Sequence, residues 1–184
     1  PTVFTSVEHD VNVQMRRREL NKYTVYTTNA TGPGTAYGEG KTYTISGNLQ
    51  DTDDYHYTFE HWTCVDADGN DCISAIKDPT KTGIVTEITL TDRDLWIEAV
   101  YTTNYKLTVI EGQDDGDGYY CENETVESVY ANTPTPGSRL QFDHWDDPMG
   151  IIKNIYDPTP TIVMKNTVAV ITAVFTSIDA KGNS

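Results

Sequence analysis

The chain has 184 residues, a length that suits one domain or two small ones, and 28 acidic residues against 13 basic ones give it a formal net charge of −15. This balance excludes nucleic acid and anionic membranes as partners, because phosphate binding needs clustered Lys and Arg. The composition is 37% hydrophobic with twelve Tyr, enough to build a core, and no apolar run is long enough to insert into a membrane.

Short segments rich in Thr, Val, Ile and Tyr follow one another along the chain, and helical periodicity is almost absent. Such side chains pack well on a pleated surface, and alternation places every second one on the buried face. Clusters of Gly, Asn, Asp and Pro separate the segments and supply turns. The predicted strands are, in chain order, KYTVYTT (22–28), KTYTIS (41–46), TEITL (86–90), LWIEAVY (95–101), YKLTV (105–109) and TVAVITAVF (167–175). The pattern predicts an all-β fold of small antiparallel sheets.

The motifs of the first half of the chain recur in the second half in the same order. We therefore predict two tandem repeat domains at 21–103 and 104–176, β-sandwich-like in architecture, with a β-grasp-like fold as the alternative. The net charges of the two ranges are similar, with 13 acids and 5 bases in the first and 11 acids and 4 bases in the second. The matched pairs are NKYTV (21–25) with YKLTV (105–109), YGEGKTY (37–43) with YCENETV (120–126), FEHW (59–62) with FDHW (142–145), KDPTKTGIV (77–85) with YDPTPTIV (156–163), and IEAVY (97–101) with ITAVF (171–175).

The two ends of the chain fall outside these repeats. DVNVQM at 10–15 matches DLWIEA at 94–99, so residues 1–20 are predicted to hold the closing strands of a truncated preceding repeat. The basic run RRR at 16–18 is too short for a nucleic-acid footprint and is interpreted as a solvated turn between repeats. Residues 177–184 are predicted to form a C-terminal tail.

The phrase FxxW supplies the bulky aromatic residues of each repeat. Phe59, Trp62, Phe142 and Trp145 are therefore predicted to be the structural core. The His beside a carboxylate in each phrase suggests a catalytic dyad, but neighbours in a strand point to opposite faces, and no nucleophile motif such as GxSxG appears. We expect no catalytic residues and no enzymatic activity.

The three cysteines divide into a close pair and a single residue. Cys64 and Cys72 enclose a turn sequence, and paired residues across a hairpin lie within the range that a disulfide spans, so we predict a bond between them in an extracellular protein. The first repeat is also longer here, with 38 residues between Trp62 and Tyr101 but 29 between Trp145 and Phe175. Cys121 is predicted to be a free thiol near a turn.

Two acidic loops are the candidate cation sites. DADGND (66–71) has the odd spacing of an EF-hand loop, but Asp71 stands where that loop needs Gly and Lys77 where it needs Glu. DDGDG (114–118) clusters carboxylates in no recognised frame. We predict solvated turns without a metal, and calcium is the one cofactor kept as an alternative. The weak calcium candidates are Asp66, Asp68, Asn70, Asp114, Asp115 and Asp117.

The ordered set YxLTV, Gly-rich turn, YxExxxV, FxxW and final AVY or AVF resembles the divergent internalin-type B-repeat, which is related to the Listeria–Bacteroides repeat. The resemblance covers about 21–176. It implies a secreted or surface-displayed protein in which such repeats form stalks, spacers or adhesive tracts, and it implies no enzymatic activity and no shared ligand-binding residues.

We accordingly expect a non-enzymatic extracellular module of a bacterial cell-surface protein. Its expected partners are neighbouring repeats of the same chain and a host-surface protein or glycan. One alternative is a structural or decorating, fibre-like protein of a phage particle, located on the virion. The other is a carbohydrate-binding module. Buried Trp residues and plain polar faces would favour the spacer, and an exposed row of aromatics on one sheet would favour sugar binding.

Overall fold

The structure, a computed structural model, describes residues 19–178. The predicted stub strands, the run RRR at 16–18 and most of the predicted C-terminal tail lie outside the described residues. Within them the chain is all-β, as predicted, with fourteen strands and one 3₁₀ turn at Ile73–Ala75. The strands are β1 (Lys22–Thr28), β2 (Ala30–Thr31), β3 (Gly34–Tyr37), β4 (Thr42–Gly47), β5 (Tyr55–Asp66), β6 (Val85–Thr89), β7 (Leu95–Ile110), β8 (Gly112–Asp114), β9 (Tyr119–Cys121), β10 (Thr125–Val126), β11 (Val129–Ala131), β12 (Leu140–Asp146), β13 (Ile162–Val163) and β14 (Ala169–Ser177).

The largest sheet has seven strands and is centred on β7. Its path runs β12-β14-β7-β1-β3, and β5 and β9 also pair with β7. The smaller sheets are β2-β4-β6, β10-β13 and β11-β8. Most ladders are antiparallel, as predicted, but β7 pairs in parallel with both β1 and β14. An alternating pattern reports which face is buried and carries no information on strand direction, so the sequence did not reveal these two ladders.

Buried side chains form two separate hydrophobic clusters. The first is built from residues between Tyr23 and Ala99, with Tyr101 packed against it, and it joins side chains of the large sheet to Ile45 and Ile88 of the β2-β4-β6 sheet. The second is built from residues between Leu107 and Ala173, with Tyr105 packed against it. The border between the clusters lies where the sequence places the border between repeats. We call 21–103 unit one and 104–176 unit two.

The strand β7 crosses this border without a break. Its first residues pair with β1 and β5, and its last residues pair with β9 and β14. Ile97 packs in the first cluster, and Leu107 and Val109 pack in the second. All three are odd-numbered, and side chains alternate along a strand, so both cores lie on the same side of β7 and its even-numbered side chains point to the other side.

The FxxW strand has the same register in both units. In unit one Phe59 pairs with Tyr101 and Trp62 with Ala99, with a bulge between Phe59 and His61. In unit two Phe142 pairs with Phe175 and Trp145 with Ala173, with a bulge at the same place. A shared bulge at one position indicates a common local structure, since bulges are specific features of a ladder.

Two of the sequence matches are wrong as structural equivalences. Val25 pairs with Leu95, and Leu107 pairs with Ala169, so Leu107 and not Val109 takes the position of Val25. Both motifs end in Thr-Val, but in unit two the residue that occupies the position of Val25 lies two residues before the Val of its motif. A shift of two residues keeps the same face buried, so the pattern alone could not detect it.

The second wrong match is the alignment of KDPTKTGIV (77–85) with YDPTPTIV (156–163), which treats their Asp-Pro pairs as equivalent. Backbone bridges Ile76 to Ile88 and Ile152 to Ile162 are equivalent, so the segment that follows Ile76 corresponds to the one that follows Ile152. The nine extra residues of unit one therefore divide into seven before Ile76 and two after it. The seven fall in the stretch that contains the cysteine pair.

Candidate functional site

The aromatic residues of FxxW form the centre of each core. Trp62 and Trp145 are each 1% exposed and Phe59 is 8% exposed, as predicted, whereas Phe142 is only partly buried against its cluster. A spacing of three would place the two aromatics on opposite faces of a regular strand, and the bulge brings them to one face. Each indole also has a backbone acceptor, Gly83 O at 2.7 Å from Trp62 Nε1 and Asp157 O at 2.9 Å from Trp145 Nε1.

The bulge also corrects the interpretation of the His–carboxylate phrase. In unit two His144 Nδ1 lies 2.9 Å from Asp143 Oδ2, so the expectation that these neighbours point to opposite faces is wrong. In unit one Glu60 instead contacts Lys81 and Thr102. Hydrogen bonds from the Lys81 and Thr102 side chains lower the pKa of Glu60. The carboxylate of the motif thus has different partners in the two units, Lys81 and Thr102 for Glu60 and His144 for Asp143. Both carboxylates are in contact with solvent.

The cysteines are arranged as predicted. Cys64 and Cys72 form a disulfide with a Cα–Cα distance of 5.0 Å, and both belong to the first hydrophobic cluster. Cys121 is a free cysteine. Its thiol donates to Asn104 Oδ1 at 2.7 Å, and burial raises its pKa, so the nucleophilic thiolate form is disfavoured.

The disulfide gives a first testable expectation. Replacing both Cys64 and Cys72 with Ala is expected to lower the free energy of unfolding of unit one by about 2–3 kcal/mol, because the bond closes a short loop in the unfolded chain. Denaturant titration followed by Trp62 fluorescence measures the loss, and Cys121→Ala is the matched control. Thiol titration of the denatured, unreduced protein should find one free cysteine; finding three would contradict the bond.

Two carboxylates of the first acidic loop, 66–71, are bound by an arginine side chain of the same unit. The guanidinium of Arg93 contacts both Asp66 and Asp68, at 3.1 Å in the case of Asp66 Oδ2. Asp66 also accepts the backbone N–H groups of Asp68 and Asn70, and the bond from Asn70 is the main cause of its lowered pKa. The three calcium candidates of this loop are thus engaged in a turn that a guanidinium neutralises.

The second acidic loop is tied to neighbouring hydroxyl groups. Asp114 accepts from the Tyr120 hydroxyl at 2.7 Å and from the Ser128 hydroxyl at 2.6 Å, and Asp115 accepts from the Tyr130 hydroxyl at 3.1 Å. Burial, with Asp114 beside the phenol, raises the pKa of Tyr120 to about 12. Asp117 accepts the Tyr119 backbone N–H. Among residues 19–178, no three His, Cys, Asp or Glu side chains form a group that could hold a metal ion.

The two units contact each other around the middle of β7. The loop before β5 reaches over the border, where Asp54 O accepts the Lys106 N–H at 3.1 Å and Asp53 O accepts the Tyr119 hydroxyl at 2.9 Å. The His56 ring stacks on Tyr119 with 3.5 Å between ring centroids. The junction is therefore a hydrogen-bonded interface in which a loop of unit one lies on unit two.

A second aromatic pair lies on the outward side of the same sheet. Tyr26 and Trp96 are direct partners across the β1–β7 ladder, and their rings stack 4.8 Å apart. Val65 pairs with Trp96 from the other side. All three side chains are more than 40% exposed. The sequence patterns that predict the core do not point to these three residues. The alternation in LWIEAV nevertheless places Trp96, an even-numbered residue, on the side away from the core.

Comparison with protein-family models, with curated proteins and with solved structures finds no match to this chain. The part of the chain that the structure describes contains no helix of the length and apolarity needed to cross a membrane.

Proposed function

We propose that this chain is a non-enzymatic extracellular repeat module that acts as a stiff spacer and holds its two ends at a fixed separation. The observation that carries the proposal is the continuity of β7, which is 16 residues long and belongs to both units. A flexible linker would let the units reorient, whereas a strand paired on both sides at the border fixes their relative direction.

The contacts at the border support the same function. Tyr55, His56 and Tyr57 of unit one continue the β5–β7 ladder as far as Tyr105, and the loop contacts of Asp53 and Asp54 add to it. Units that contact mainly their neighbours can be repeated to any length, and length is the property that a stalk needs. The resemblance to surface repeats points in the same direction.

The extracellular location is part of the proposal and is supported by the disulfide. Disulfides form and persist in oxidising compartments such as the cell exterior and the surface of a virus particle. A stalk of a bacterial surface protein is the first choice, and a fibre-like protein of a phage particle would need the same stiffness. The acidic surface keeps such an exposed module from associating with itself.

The proposal is tested by residual dipolar couplings in a weakly aligned medium. We expect both units to report one alignment tensor of the same magnitude and orientation, because they tumble as one body. A variant with Gly-Ser-Gly-Ser inserted after Thr103 is the flexible control, in which the two magnitudes should separate. Different magnitudes in the unmodified chain would contradict a spacer role.

A further inference from the structure

We propose that the outward face of the large sheet, on the even-numbered side of β7 from Trp96 to Lys106, is a binding site for a neutral polysaccharide chain. Its defining residues are the two stacked aromatic pairs, Tyr26 with Trp96 and His56 with Tyr119. The site goes beyond the spacer function and does not depend on it. A rigid spacer could lack this binding face, and the same face could bind a polysaccharide on a flexible chain.

The two aromatic pairs lie at the two ends of one continuous surface. Trp96 and Lys106 are ten residues apart on a strand with no irregularity of its own in the ladder to β5, so they are separated by roughly 33 Å along the sheet. His56 is opposite Asn104 and Tyr119 is opposite Lys106, which places both rings on the same face as Trp96. The surface is long enough for several sugar units in an extended chain.

Hydrogen-bonding groups fill the space between the aromatic pairs. Next to the first pair, Glu98 lies between Thr28 and Thr63 in one cross-strand row, and all three are exposed. Further along, Thr102 pairs with Thr58, and Asn104 follows. Hydroxyls, a carboxylate and an amide offer both donors and acceptors, which a polyol needs along its length. Aromatic faces pack against the C–H faces of sugar rings. The exposed Tyr26 and Trp96 supply such faces at one end, and the half-buried His56 and Tyr119 supply them at the other, so the surface presents both parts of sugar recognition.

The same features argue against the other polymers. Along this stretch β5 pairs with one edge of β7 from Leu95 to Tyr105, and β1 and β9 pair with the other edge at Leu95–Glu98 and Asn104–Lys106. Within the described part of the chain, only residues 99–103 of that second edge lack a ladder partner, so an extended peptide could pair with five residues of β7 at most and would not run along the whole face.

On the face itself Glu60 is paired with Lys81, and Glu98 and Lys106 carry opposite charges, so the surface is close to neutral. The chain as a whole carries a net charge of −15, which repels polyanions such as nucleic acid or sulfated glycans. Of the extended polymers considered, an uncharged polysaccharide fits this face best.

The test is native affinity electrophoresis of the full chain in gels that contain hydroxyethylcellulose, xyloglucan, mannan or dextran. We expect at least one of these four to retard the protein, and we expect heparin not to. Trp96→Ala should weaken the binding by roughly tenfold or more, as is typical of an exposed aromatic anchor. Since Trp62 and Trp145 are each 1% exposed, a change in Trp emission on adding the retarding polysaccharide reports on Trp96.

The matched control is Val85→Ala, which removes another exposed apolar side chain of unit one from the β2-β4-β6 sheet and should leave the retardation unchanged. Circular dichroism of Trp96→Ala should be unchanged, because the side chain is 41% exposed. The proposal is overturned if none of the four polysaccharides retards the chain, if Trp96→Ala is retarded as strongly as the unmodified chain, or if heparin retards it equally.

Discussion

Replacing Trp145 with Ala is expected to lower the free energy of unfolding of unit two by about 3–5 kcal/mol, the usual cost of removing a large buried aromatic side chain. Trp145 is 1% exposed, packs with its ring centroid 5.8 Å from that of Phe142, and donates from Nε1 to Asp157 O. The substitution leaves a cavity and an unpaired carbonyl, and both add to the loss. Calorimetry or urea titration of the full chain measures it.

The matched control is Trp96→Ala, which removes the same side chain from an exposed position. We expect it to lower the free energy of unfolding by only about 1 kcal/mol, because the half-exposed indole loses little more than its stacking on Tyr26. The equivalent Trp62→Ala should act on unit one as Trp145→Ala acts on unit two. A loss below about 1 kcal/mol for Trp145→Ala would mean that the indole is not the centre of the core.

Replacing Asn104 with Pro is expected to destabilise both units at once, by about 1–3 kcal/mol in total, because a ladder acceptor is left without its N–H donor. Asn104 lies on β7 between His56 of β5 and Cys121 of β9, so its strand is paired on both sides. Proline removes a ladder hydrogen bond in a central strand and fixes φ at a value that bends it. Urea titrations of the full chain, followed separately by the NMR signals of the Trp62 and Trp145 indole N–H groups, should both shift to lower midpoints.

Two controls separate the backbone effect from others. Asn104→Ala removes the side chain but keeps the N–H, and should cost less than about 1 kcal/mol. Thr133→Pro places the same residue in an exposed loop outside the ladders and should have little effect. If Asn104→Pro moved one midpoint and left the other unchanged, β7 would not couple the units.

The all-β class, the cores and the disulfide could be predicted from the sequence because each has a local signal. Alternating Thr, Val, Ile and Tyr indicates strands, and two large aromatics per repeat indicate where the core lies. The bulge had a signal too, because a buried Phe and a buried Trp three residues apart cannot share a face of a regular strand. The spacing in FEHW and FDHW therefore already implies a bulge, and the same bulge makes the predicted His–carboxylate geometry wrong.

The remaining features depend on long-range pairing, which the local pattern does not encode. The shift that places Leu107 where Val25 lies keeps the same parity, so both registers satisfy the alternation. The sequence does not show that β7 is continuous, because TTN, at 102–104, carries no apolar residue and has the composition of a border between two strands. Its place in the sheet comes from its partners on β5 and β9.

The parallel pairing of β1 with β7 and of β7 with β14 determines how the module would respond to a pulling force. In each unit the first and last strands are neighbours that run in the same direction, so tension applied at the two ends of the unit pulls them past one another lengthwise. The ladder bonds are then loaded together in shear and must break together, whereas a hairpin pulled at its open end separates one bond at a time. A tether that anchors something against flow would benefit from this arrangement, because each unit resists extension with its whole central ladder.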